Sequence, residues 1–154
     1  MDGIERIAGA EDLVAIFGYW PSFHDAEVLW VRFDRRPFGD GQPTLEALVH
    51  AFEITSEVSA DGYYVLRHHV LVHLRFRDVV ELRLVGFNHQ NALMGLILTD
   101  LRDRQMERVL WEVKFDSAFG VNSTFQCHSV EVFSVVPCNK AGEPTQGYTS
   151  RGSS

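Results

Sequence analysis

The sequence predicts a mainly β (α+β) domain: a curved antiparallel sheet or sandwich of about seven strands with a short N-terminal helix. Three observations lead there. Apolar residues alternate with polar ones at period two through most of the chain, which places them on one face of extended strands. Short clusters of Gly, Pro, Asn and Asp separate the runs, so consecutive strands are joined by hairpin-like links and lie antiparallel. Helical spacing is read in residues 9–17, where Leu13, Ile16 and Phe17 fall at i, i+3 and i+4.

The helix has its own punctuation. Glu11 and Asp12 stand in its first turn, where carboxylates suit the dipole, and Gly18 follows its last apolar residue. Pro21 then biases Trp20 towards extended backbone, so the chain leaves the helix sharply. Residues 26–36 form the first strand, apolar on both parities, as expected of a strand inside the sheet. Residues 37–43, PFGDGQP, break it.

Residues 44–55 return as a second strand, and Asp61-Gly62 marks the next hairpin turn. The clearest alternation follows in residues 64–77. Tyr64, Leu66, Val70, Val72, Leu74 and Phe76 line one face, and Arg67, His69, His73, Arg75 and Arg77 the other. Asp78 reads as a turn into residues 79–85, with Glu81 set to pair across that hairpin with one of the arginines. Residues 86–91, GFNHQN, interrupt the strands with amides able to close turns onto backbone groups. Strands are expected at residues 96–102, 109–116 and 124–136, the last ended by Pro137. The domain therefore covers residues 1–139, and 140–154 reads as a flexible tail too polar and small to build a core.

Length and charge narrow the function classes. A domain of 154 residues can bury roughly 70% of its unfolded surface, so neither metal nor disulfide is needed to hold it. The formal charge of −7 argues against direct binding of nucleic acid or an anionic membrane, and suits a basic partner. Cys127 and Cys138 do not make a four-ligand zinc pattern and are expected as free thiols in a reducing cytoplasm. No basic-then-apolar leader opens the chain, and no apolar run approaches the roughly 18 residues of a membrane span.

The densest chemistry lies in residues 19–27, YWPSFHDAE. His24, Asp25 and Glu27 offer an imidazole and two carboxylates, but the spacing belongs to no closed metal motif and neighbours on extended chain splay apart. A structural role sets Asp25 on backbone donors and packs His24 between Trp20 and Phe23. His69 and His73 share a face yet stand roughly 13 Å apart along a strand, so a site there would need His50 or His128 from elsewhere. Cys127 and His128 diverge as strand neighbours, and no G-x-S-x-G, phosphate loop or HExxH is present. No catalytic residue, cofactor or metal is assigned.

The block Trp20-Pro21-x-Phe23-His24-Asp25-x-Glu27, followed by Gly86-Phe87-Asn88-x-x-Asn91, resembles the bacterial immunity proteins of polymorphic toxin systems in the family conventionally numbered fifty. The likeness runs from about Leu13 to Val136. It implies a mainly β cytoplasmic protein, not an enzyme, that binds a cognate toxin domain and neutralises it, a basic nuclease being one suited partner. The ten motif residues would then be structural or binding, with loop 37–43 another place for contacts. The alternatives are a ligand-binding or scaffolding β domain with an aromatic pocket around Trp20, Phe23 and Trp30, and a hydrolase using His24 and Asp25.

Overall fold

A computed structural model describes residues 3–36 and 42–145. Its one α-helix among the described residues, α1 (Ala10–Phe17), is bounded at both ends by glycines in the left-handed region. Gly18, at φ 83°, closes it by donating its N–H to Val14 C=O at 2.7 Å. Leu13 and Phe17 are buried, and α1 packs across the last strand.

The strands are β1 (Glu27–Asp34), β2 (Thr44–Val58), β3 (Tyr64–Arg77), β4 (Val80–Val85), β5 (Ala92–Asp100), β6 (Trp111–Phe119), β7 (Asn122–Cys127) and β8 (Ser129–Pro137). All strand pairings are antiparallel, in one sheet of order β4-β7-β6-β5-β1-β2-β3-β8. The eighth strand comes from the expected run 124–136, which His128 divides into β7 and β8. Residues 101–104 leave the sheet as a short 3-10 turn, and β5 starts at Ala92 rather than 96.

The two ends of this sheet belong to one ribbon. Asp78, at φ 57°, does not turn the chain back; it bends it, and β3 runs on into β4. Opposite, β8 continues β7 past His128, whose N–H donates to Arg77 C=O at 2.9 Å. β3 pairs with β8 at one end of the sheet and β4 with β7 at the other. The expected Glu81 pairing across a hairpin is therefore not available. Arg75 instead lies 3.8 Å from Glu46 and 3.3 Å from Glu131, its neighbours on either side in the row Arg32–Glu46–Arg75–Glu131.

Curling brings the inner faces together. Val72, Leu74 and Phe76 of β3 share a core with Trp111, Val113 and Phe115 of β6 and Phe125 of β7, the rings of Phe76 and Phe125 meeting edge to face at 5.0 Å. The outer face of β3 is drier than its polar letters suggest. His73 stacks on Trp30 and Phe133 and holds Glu46 at 2.7 Å, and Arg75 lies 4.0 Å over the Phe133 ring. Past Pro137 the chain is held as far as Thr145, whose N–H donates to Pro137 C=O. Residues 146–154 of the expected tail lie outside the described residues, as do 37–41 of the loop.

Candidate functional site

The two halves of the sheet, β4-β7-β6-β5 and β1-β2-β3-β8, meet at a narrow seam between β5 and β1 whose ladder holds the single pair Glu27–Ala92. Residues 20–27 and 86–91 complete it. Upstream of Glu27 the chain runs along β5: Ser22 C=O accepts Leu96 N–H, and Asp25 N–H donates to Leu93 C=O at 2.8 Å. Two non-glycine residues, Phe23 and Asp25, both at φ 63°, fold the segment into place. That conformation turns the Phe23 ring into the core against Trp20, 5.8 Å away, and sends His24 and Asp25 outward. Pro21 is buried beneath the same turn.

Asn91 locks the seam from the other side. It is buried, and its side-chain amide uses its full capacity. The NH2 donates to Val28 C=O at 3.3 Å and Asn88 C=O at 2.9 Å, and Oδ1 accepts the N–H groups of Asn88 and Val121, each at 3.0 Å. Its backbone N–H goes to the Glu27 carboxylate at 2.9 Å. Asn88 Oδ1 accepts Gln90 N–H and so shapes the same loop. Gly86, at φ 76°, lies so near Gly120 that a β-carbon there would stand 2.6 Å from the Gly120 carbonyl oxygen. Glu27, Gly86, Asn88 and Asn91 thus converge on one junction, while Phe87 is exposed beside it.

His24 departs from the packing expected of it. Its Nδ1–H donates to Met94 C=O at 3.0 Å, and Nε2 faces solvent 3.8 Å from the Asp25 carboxylate. A carbonyl, not a carboxylate, orients the ring. Among the described residues Asp25 bridges no backbone donor through its side chain, and it is about half exposed. The aromatic pocket expected around Trp20, Phe23 and Trp30 does not assemble: Trp30 lies on the other face against His73.

Around the exposed part of this turn lie two grooves. One, of about 600 Å³, is lined by Tyr19, Trp20, Ser22, Met94, Ile97 and Asp116. The other, of about 610 Å³, is lined by Asp25, Ile54, Asp61, Tyr63, Tyr64 and Lys140. Tyr19 is fixed by donating its hydroxyl to Glu53 at 2.5 Å, and Arg67 holds the other oxygen of that carboxylate. The hydrogen bond from Tyr19, followed by Arg67, keeps the Glu53 carboxyl below its usual range; the same bond raises the Tyr19 phenol. Sequence reasoning missed Met94, Ile97, Tyr63 and Tyr64, because an apolar residue on a strand gives the same signal whether its face is covered or bare.

The remaining candidates separate. His50 does meet His69, Nε2 to Nδ1 at 2.9 Å, so one ring donates and the other accepts, and burial lowers both pKa values. No third ligand joins them, and no group of three or more His, Cys, Asp or Glu able to hold a metal occurs among the described residues. Both cysteines are free, and burial pushes the Cys127 thiol up to about 12, which keeps it un-ionised. His128 turns away and donates Nδ1–H to Arg108 C=O. No helix among the described residues is long and apolar enough to cross a membrane.

Neither a curated protein nor a solved structure matches the chain. The family described as immunity protein 50 matches it over residues 9–138, from the start of α1 to the end of β8, with both halves of the seam inside. The chain belongs to the immunity protein 50 family.

Proposed function

We propose that this protein is an immunity protein that binds a cognate toxin domain and neutralises it, protecting the bacterium that makes both, in the cytoplasm. The observation that carries this reading is membership of the immunity protein 50 family across nearly the whole described fold. The physical properties suit it. An inhibitor needs a rigid scaffold with a preformed surface, because side chains already ordered lose little entropy on binding. The seam supplies such a scaffold, with Asn91 satisfied on every side and Tyr19 tied through Glu53 to Arg67. With a net charge of −7, association with a basic toxin, such as a nuclease, would be accelerated by long-range attraction.

The test is growth of a bacterium expressing the toxin domain encoded beside this gene, with and without this protein. Rescue together with a co-purifying complex is the expected result. Continued killing and no complex, with both proteins folded, would exclude neutralisation by direct binding.

A further inference from the structure

We infer that the toxin docks on the face bearing the turn 19–25, across the two grooves, and that it presents lysine and arginine side chains there among apolar contacts. This rests on the toxin-binding reading above.

Exposed large apolar side chains gather on this face. Tyr19, Met94 and Ile97 line the first groove, and Tyr63 and Tyr64, 74% and 62% exposed, stand at the second on the tip of the β2–β3 hairpin. Tyrosine and methionine offer large contact area, and tyrosine is enriched where binding energy concentrates. Such side chains bare to water cost solubility unless something covers them.

The face is also built before any partner arrives. Residues 22–25 are pinned to β5 through the Leu93, Met94 and Ser22 carbonyls, and Tyr19 is held by Glu53. The turn of which His24 and Asp25 form the exposed part is therefore a fixed feature, with Ser22 lining one groove and Asp25 the other.

Charge selects the occupant. The charged side chains lining the grooves are Asp116 in the first, with the Lys114 ammonium 3.7 Å from it, and Asp25, Asp61 and Lys140 in the second, so the lining itself carries three carboxylates and one ammonium. Asp25 is about half exposed, and the His24 imidazole lies 3.8 Å from its carboxylate. Lysine and arginine fit such a surface, since their alkyl stems cover apolar walls while their heads reach carboxylates. A phosphate or other anionic ligand would meet repulsion.

The experiment is calorimetric titration of the adjacent-gene toxin domain into the protein and into variants at exposed positions. Ile97→Glu and the double variant Tyr63→Ser/Tyr64→Ser are expected to raise Kd by roughly 30-fold or more each. Asp25→Asn keeps a residue type that tolerates positive φ, and is expected to slow association about two- to fivefold at low salt. Leu82→Ser, on β4 three strands from β5 in the sheet order, should stay within about twofold. Oxidative footprinting of the unmodified complex guards against variants that fail to fold: Tyr19, Met94, Tyr63 and Tyr64 should be protected. Oxidation of these four at the free-protein rate in a saturated complex would overturn the assignment of this face and leave toxin binding standing. No complex with the unmodified protein would overturn toxin binding itself, and the face with it.

Discussion

A buried side-chain amide with four partners is an all-or-none device, and Asn91 is that device in the seam. Aspartate in its place has nearly the same shape but sets an oxygen against the carbonyls of Val28 and Asn88. Asn91→Asp is expected to cost about 3 kcal/mol or more of folding free energy, read as a shift in urea midpoint at unchanged slope. A loss below about 1 kcal/mol would show that the seam relaxes around the charge. The His50–His69 pair makes a second prediction at this scale. Burial first, and then the charge of His69 at His50 and of Lys140 at His69, lowers both imidazoles from the usual 6.5. An unfolded chain then takes up protons that the folded one refuses, so stability falls as pH drops from about 6.5 through the lowered folded values, and is fully present above. Urea melts at about pH 8 and pH 5 should show this loss, and a His50→Gln variant should lose less; an equal loss in the variant would assign it to other groups.

Whole elements explain why some of the sequence was legible and some was not. β3 is legible to its final residue because Val70, Val72, Leu74 and Phe76 are all buried and, from Val72 on, alternate with polar letters, even though exposed His68, at φ 58°, breaks the alternation nearer the hairpin. β7 and β8 read as one strand because Phe133 and Val135 keep apolar letters on the parity of Phe125 and Cys127, which hides the shift of the buried face from odd to even positions at His128. Asp78 reads as a reversal because aspartate is usual in turns; at φ 57° it only bends the strand, and which of the two occurs depends on what lies opposite. The motif blocks were visible as letters, but their convergence was not, because Glu27 and Asn91 are 64 residues apart and meet through one hydrogen bond to a backbone group. At the loop 86–91, Gly86→Ala would place a β-carbon 2.6 Å from the Gly120 carbonyl oxygen and also force an unfavourable φ. It is expected to destabilise by about 1–3 kcal/mol in thermal or urea melts, more than the few tenths typical of an exposed position. A neutral result would mean the two glycine turns can separate without opening the seam.

For the molecule as a whole, periodicity points to the fold class and composition to the charge, while the candidate face depends on which apolar residues the curl leaves bare. Tyr64 and Val70 share the β3 alternation, yet one is 62% exposed and the other 1%, because the hairpin outruns the core at its tip. The ribbon that makes both ends of the sheet has a further consequence, in the time order of synthesis. β3 and β4 leave the ribosome well before β7 and β8, the strands with which each pairs at its end of the sheet. Until residues 122–137 emerge, β4 has no neighbour and β3 only β2, so the early chain carries bare strand edges that invite other chains. Nascent chains arrested before Asn122 should therefore stay protease-sensitive, and protection should appear abruptly once β8 clears the exit tunnel. Gradual protection as each hairpin emerges would contradict this. Under the proposed function, a shield against a toxin would then exist only in molecules whose last strand has been made.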